Sequence, residues 1–317
     1  MREQRDDEDI VPCGVSAGSF DTVGRVTRRL LSRHCTKSAQ KEHSMNIFSS
    51  SIHTHANLCH GADSLTAMAE AACAMGIQYL GISCHAHTPI PLDEGCVLPR
   101  DMSAYRQAVW NLRRAYEGRL EVLLGLEWDS RSDVSPAGFD YWIGSVHYQK
   151  GQNGRWYCPN WSKEHFAACR DACFHGDALA VVEDYYADIA QVAAMRPTVL
   201  GHFDLIAKHN AAAHLFDEAS PRYRTAALDA LRAADPERTL LEINSGGMAR
   251  GYRTAPYPAL FILREWRAMG GRIILTSDAH RAADLLIGYE VSRELALAAG
   301  YREASLLTLA GERTCKL

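Results

Sequence analysis

The chain has 317 residues, 47% hydrophobic and 23% charged, with a formal net charge of −4. That balance is ordinary for a globular protein with a large core, and the length suits one large domain or two ordinary ones. A mildly acidic chain gives no reason to expect nucleic acid or a membrane surface as partner, and no run approaches the roughly 18 apolar residues of a membrane helix. In chain order, residues 1–44 come first. They are charged, lack clear periodicity and precede Met45, and they read as a poorly ordered extension. An amphipathic helix around VGRVTRRLLSRH is the competing reading. The opening MREQRDDEDIVPCGVSAGSF has no apolar core of a signal peptide, and its early acids argue against a transit peptide, so a cytoplasmic location is expected.

From Met45 short apolar runs alternate with helical patterns, and residues 45–317 read as a single domain. NIFSSSIHTH is the first strand. In ADSLTAMAEAACAMG, Leu65, Met68, Ala69, Ala72 and Met75 recur at helical spacing, with Asp63 or Ser64 to cap the start and Gly76 to end it. IQYLGISCH is the second strand, DMSAYRQAVWNLRRAYEG a helix, LEVLLGLEW the third strand and FDYWIGSVHY the fourth, with no convincing helix between the last two. Helical stretches SKEHFAACRDACFHG and ALAVVEDYYADIAQVAAM precede TVLGHFD, the fifth strand. SPRYRTAALDALRAAD is a helix with Ser220 as cap and Pro221 in its first turn. Then follow TLLEINSG, the helix YPALFILREWRAMGG, the strand RIILTSDAH and a last helix, YEVSRELALAAG.

The strands are continuously apolar, as buried parallel strands are. Seven of them with helical returns predict an α/β fold, a barrel one unit short of the eightfold type. An open doubly wound sheet is the alternative, disfavoured in its dinucleotide-binding form because no glycine-rich fingerprint follows the first strand. The ten cysteines include no C-x-x-C pair, which suits reduced thiols.

The strand ends carry the chemistry. The first ends in His53 and His55, the second in His85, the third in Glu127, the fourth in His147, the fifth in His202 and the seventh in Asp278 and His280. One strand-end histidine is usually a packed core or rim residue. Six of seven strands ending in a metal-capable side chain is a pattern, and with His60 it takes in seven of the 14 histidines. In a barrel these ends converge on one face. Residues two apart in a strand point to the same side, so His53 and His55 can grip one ion together. Imidazole and carboxylate donors without thiolate suit Zn, Mn or Fe, and nine candidates exceed the needs of one ion. Two or three divalent ions sharing Glu127 as a bridge are expected.

HTHANLCHG, LGISCHAHTP, LLGLEWD, FDYWIGSVHY, GHFDLI, EINSGGMARGYRTAPYP and IILTSDAH occur in this order. Through them the chain, over residues 47–300, resembles the PHP family of polymerase-associated domains and histidinol phosphatases, and most closely its histidinol-phosphate phosphatases. The resemblance implies a distorted (β/α)7 TIM-like barrel with a metal cluster at the C-terminal strand ends. Carried over by position, the ligands are His53, His55, His60, His85, Glu127, His147, His202, Asp278 and His280. The implied activity is hydrolysis of L-histidinol phosphate to L-histidinol and phosphate in histidine biosynthesis, through a metal-bridging water held by Glu127, Asp278 and His280.

A phosphate dianion also wants cations. Arg250 and Arg253, in the loop after the sixth strand, are candidates for it, and Lys208 is a third; each could instead serve a surface ion pair. Asn244, Ser245 and Tyr252 are candidates for the pocket, as are His87 and Asp204 for its surroundings. Asp129, just after Glu127, is a candidate for the substrate ammonium. Another small phosphomonoester or a nucleotide would keep the same chemistry. A polymerase-associated module, an amidohydrolase-like barrel and a non-catalytic metal-binding module are the further alternatives. A homo-oligomer stays open.

Overall fold

The structure, a computed structural model, describes residues 45–317 except Glu94 and Gln152. The expectation of a poorly ordered extension over residues 1–44 lies outside the described residues.

Among the described residues seven parallel staves are present. β1 (Ser50–Ser51), β2 (Tyr79–Ile82) and β3 (Glu121–Leu124) form one arc. After the break at Gly125 and Leu126 the third stave resumes as β4 (Glu127–Asp129) and pairs with β5 (Ile143–Ser145). A short antiparallel hairpin, β6 (Gln149–Lys150) and β7 (Trp156–Tyr157), projects beyond β5. β8 (Val199–Leu200), β9 (Leu240–Asn244) and β10 (Arg272–Thr276) complete the second arc. Two isolated parallel bridges, His85↔Glu127 and Thr54↔Ala279, join the arcs into a closed ring. The sheet is therefore a barrel and not the open doubly wound alternative.

The returning helices are α1 (Leu65–Met75), α2 (Ser103–Ala115), α3 (Lys163–Cys173), α4 (Ala178–Ala194), the short α5 (Asn210–Ala213), α6 (Pro221–Arg232), the short α7 (Gly246–Ala249), α8 (Leu260–Ala268) and α9 (Tyr289–Ala299). Their starts and stops follow local chemistry. The Ser64 hydroxyl accepts from the backbone N–H of Ala67 at 3.2 Å, and Gly76 ends α1 in the left-handed region at φ 78°. Ser220 caps α6 with Pro221 in its first turn. Between β4 and β5 the chain makes turns without a helix, as expected.

Two cores hold the barrel. Ile52, Leu123, Tyr141, Ile143, Val199, Leu240, Ile274 and Leu307 fill its interior. The Tyr141 hydroxyl donates to the Ile52 carbonyl, and a Cβ on Gly81 would collide with that hydroxyl and one on Gly125 with the ring, so glycine is kept at both places. The larger core lies between staves and helices; Trp266 of α8 is fully buried in it and donates from Nε1 to the Arg272 carbonyl at 2.8 Å.

Two hairpins were not expected from the sequence. β11 (Glu303–Thr308) and β12 (Gly311–Lys316) pair after the last helix, and Leu307 of β11 plugs the barrel. In β12 only Cys315 is buried, so no period of apolar residues announces the strand. Cys59, Cys84, Cys158, Cys169, Cys173 and Cys315 are free thiols. Among the described residues no helix is long and apolar enough to cross a membrane.

Trp266→Ala would leave a large cavity against α8 and free the Arg272 carbonyl. We expect it to lower unfolding free energy by about 3–5 kcal/mol, measured by denaturant unfolding.

Candidate metal centre

The site grows out of the stave ends. Thr54 lies between His53 and His55; its backbone bridges Ala279, and its hydroxyl donates to the Gly81 carbonyl at 2.6 Å. This pins the strand, so both imidazoles turn to the same side. His85 and Glu127 form the other closing bridge, and Asp278 and His280 flank Ala279.

All nine expected side chains meet in four overlapping groups. They are His55 with His60, His85 and His280; His53 with His55 and Asp278; His53 with Glu127 and His202; and His85 with Glu127 and His147. Within each group the ligand-type atoms lie within 4.8 Å of one another. Glu127 is the hub. Its Oε2 lies 3.3 Å from Nε2 of His53, 3.3 Å from Nε2 of His55 and 2.9 Å from Nδ1 of His85. Its Oε1 lies 2.8 Å from Nε2 of His202 and 3.4 Å from Nε2 of His147. Asp278 Oδ1 faces His53 and His55 at 3.6 and 3.3 Å, and Nε2 of His280 lies 2.7 Å from Nε2 of the exposed His60.

The group fits cations by a structural criterion. Nε2 of His53, Nε2 of His55 and Oε2 of Glu127 are buried without a hydrogen-bond partner, yet they face one another. Buried polar atoms left unpaired cost about 1–3 kcal/mol each. A cation between them satisfies all three at once. The donors are nitrogen and oxygen, the set that Zn, Mn and Fe accept.

Electrostatics point the same way. Burial opposes a charge on His53, but the carboxylates of Glu242, Asp278 and Glu127 outweigh it and push the imidazole up to about 10. Burial likewise opposes the charged forms of Glu127 and Asp278. His85 and His53 nevertheless hold Glu127 well below the usual carboxylate range, and Arg250 and His53 do so for Asp278. Loss of hydration, with other imidazoles beside it, pushes the half-buried His85 down to about 4. Clustered carboxylates thus demand positive charge, and metal ions can replace the imidazole protons in supplying it.

Sequence reasoning missed Glu242, in the one stave assigned no ligand. Fully buried in β9, it holds Nδ1 of His53 at 2.5 Å and accepts from the His202 backbone N–H, Asn244 Nδ2 at 3.0 Å and Thr276 Oγ1 at 2.7 Å. A glutamate inside the apolar run TLLEINSG was the available signal. Its bond to Nδ1 leaves Nε2 of His53 turned to the cluster.

A cavity of about 370 Å³ lies over the cluster. Arg250 lines it, donating to Asp278 Oδ2 at 2.9 Å and to His280 Nδ1 at 2.8 Å. Lys208 and Tyr252 line it too, the ammonium 4.7 Å from the centre of the Tyr252 ring. The other expected residues sit differently. Arg253 is turned from the cavity onto the Ala207 and Ala255 carbonyls and the Tyr257 ring, because its loop folds back on the fifth βα connection. His87 pairs with Asp133 at 2.6 Å, outside the cluster. Asp204 accepts from Tyr186, Tyr223 and the Ala259 N–H, tying α4, α6 and the approach to α8, and does not reach His202. Asn244 bonds Glu242 and the Gly246 N–H, and Ser245 donates to backbone carbonyls, so neither side chain faces the cavity. Asp129, expected to meet the ammonium, instead holds Nδ1 of His147 at 3.0 Å and the Arg131 N–H at 2.7 Å.

Comparison with known proteins places this arrangement. A Bacillus subtilis histidinol-phosphatase is 26% identical over 266 residues, 76% of this chain and 97% of that protein. A solved Listeria monocytogenes protein, a candidate histidinol phosphatase, superposes with a TM-score of 0.62 at 16% identity, covering 76% of this chain and 98% of that one. Histidinol phosphate phosphatase from Lactococcus lactis, solved with zinc, L-histidinol and phosphate, gives 0.60 at 18% identity, over 84% of this chain and 100% of that one. The PHP domain family matches residues 51–246, a span that reaches from the first stave to the end of the sixth. The two residues of the cluster beyond that span, Asp278 and His280, are brought back to it by closure of the ring, and the chain belongs to the PHP domain family.

Proposed function

We propose that this protein is a metal-dependent phosphomonoesterase that hydrolyses L-histidinol phosphate to L-histidinol and phosphate in histidine biosynthesis. It uses two or three divalent ions of the Zn, Mn or Fe type. The observation that carries the reading is the chain of four overlapping ligand groups, two of which share Glu127, beneath a cavity whose wall adds Arg250 and Lys208. A histidinol-phosphatase relative matched over 97% of its length supports the choice of substrate.

In this reading His53, His55, His60, His85, Glu127, His147, His202, Asp278 and His280 hold the ions. Ions bound there supply Lewis acidity, which brings water ionisation towards neutral pH and offsets phosphate charge. The chain's own residues do the rest. Glu127, Asp278 and His280, as ligands of those ions, would flank the attacking water. Arg250, already directed at Asp278 and His280, presents its planar fork to a phosphate oxygen. Lys208 adds a point charge from the neighbouring loop, after the fifth stave. Glu242 and Asp129 keep His53 and His147 in the orientations that turn their free nitrogens inward. Hydrolysis breaks the ester P–O bond, places the water oxygen on phosphorus and leaves the proton on the alcohol.

The direct test is phosphate release from L-histidinol phosphate by metal-loaded protein beside a panel of other phosphomonoesters. We expect kcat/KM above the panel by about 100-fold or more, and loss of turnover on chelation. Equal, weak rates on every ester would sink the named substrate.

Glu242→Gln puts an amide donor or a weaker acceptor opposite Nδ1 of His53 and favours the wrong tautomer. Metal affinity, measured by competitive chelator titration, is expected to fall about 10–100-fold.

Burial, with the Arg250 charge beside it, pushes the Lys208 ammonium down to about 8. Its positive charge is therefore present below that pH and lost above it. The kcat/KM profile should decline as pH rises through about 8. Lys208→Arg, which stays charged, should move that limb upward; an unmoved limb would remove Lys208 from phosphate binding.

A further inference from the structure

We propose that Asp93 is a specificity residue whose carboxylate binds an ammonium group carried by the phosphate ester. The inference rests on the phosphomonoesterase reading and extends it to the substrate's other end. Asp93 closes the 3-10 turn Pro91–Asp93 in the connection after β2 and lines the cavity over the metal centre while only 6% exposed. Its Oδ1 accepts from the Tyr148 hydroxyl and its Oδ2 from the Thr88 hydroxyl at 2.8 Å. Both donors are neutral, and Asp93 forms no ion pair with any Lys, Arg or His among the described residues. A carboxylate accepts up to about four hydrogen bonds, so acceptor capacity remains.

Buried charges are ordinarily paired, because an uncompensated one loses its hydration without return. Every other carboxylate on the cavity wall has its counter-charge within the chain. Glu127 and Asp278 have the imidazoles and Arg250, and Asp129 has His147. Among the described residues Asp93 has no ion pair of its own; the imidazole of His147 lies within electrostatic reach, but its Nδ1 is held by Asp129. Beside Asp93, Ile90, Tyr148 and Cys158 make a small apolar cluster, so its open side is the cavity.

The cavity is thus polarised. Lys208 and Arg250 favour anionic oxygen beside the metal centre, and Asp93 favours a cation elsewhere on the wall. A phosphomonoester bearing an ammonium a few bonds from its phosphate matches both. A sugar phosphate or nucleotide would leave the carboxylate unmatched, and a site built around such a group rejects ligands that lack it.

The test compares matched ester pairs on the metal-loaded wild type and on Asp93→Asn. One pair is L-histidinol phosphate and 3-(imidazol-4-yl)propyl phosphate, which lacks only the amino group. The other is 2-aminoethyl phosphate and ethyl phosphate. A charged hydrogen bond predicts that the wild type favours each amino member by about 10–100-fold in kcat/KM. Asp93→Asn should bring that ratio close to one, mainly through KM. No preference in the wild type, or an undiminished ratio in the variant, overturns the role of Asp93. Should the variant fail to fold, wild-type inhibition decides: L-histidinol must compete more strongly than 3-(imidazol-4-yl)propan-1-ol, and equal inhibition overturns the proposal. The two readings fail separately. An Asp93-dependent preference within the aminoethyl pair, without turnover of L-histidinol phosphate, removes the named substrate and keeps Asp93. Equal hydrolysis of both members of each pair does the reverse.

Discussion

One buried carboxylate organises this molecule. Glu127 reaches five imidazoles, those of His53, His55, His85, His147 and His202, which come from staves on both arcs of the barrel. It sits where the third stave resumes after its break, and its backbone forms one of the two bridges that join the arcs. The other bridge, Thr54↔Ala279, lies between His53 and His55 on one side and between Asp278 and His280 on the other. Ring closure and site assembly are therefore the same event. The side chains cannot meet unless the arcs close, and cations bound by those side chains would hold the arcs together.

Such a centre poses an electrostatic problem. Glu127, Asp278 and Glu242 are buried within reach of His53, and burial alone would drive protons onto them. The surrounding imidazoles and Arg250 reverse that tendency, which keeps the carboxylates ionised and ready for a cation. Asp278 adopts a left-handed backbone, φ 49°, uncommon for a residue other than glycine. The chain there is bent so that its carboxylate faces the cluster while Ala279 stays in the bridge. A Cβ on Gly246 would press on that carboxylate at 2.7 Å, so the loop after the sixth stave must be bare at this point.

Above the centre, function passes from stave ends to loops. Stave side chains are set by hydrogen-bond register and alternate between the two faces of the sheet. Loop residues choose among several partners of similar energy. Arg250 and Arg253 are three positions apart in one loop, and both looked able to bind phosphate. One reaches Asp278 and the other caps backbone carbonyls, because the turn through Gly251 (φ 73°) sends the two side chains in different directions.

The sequence alone sufficed for the parts governed by local and periodic chemistry. Seven apolar runs with helical returns specified the staves, Ser64, Gly76 and Ser220 marked helix ends, and the strand-end histidines were visible as a set. The β11–β12 hairpin escaped because β12 buries so little that it carries no period. Glu242 escaped because it lies inside a fully buried apolar strand, away from the stave end, and its partners are remote in sequence. Asp129, Asp204, His87 and Arg253 were placed near the chemistry by their neighbours in sequence, yet each found a partner remote in sequence: His147, Tyr186, Asp133 and Ala207. Which donor fills a buried acceptor depends on distances across the barrel. Backbone periodicity determines the direction of a stave side chain from sequence, whereas only the packed tertiary structure decides what that side chain, or a loop beside it, can reach.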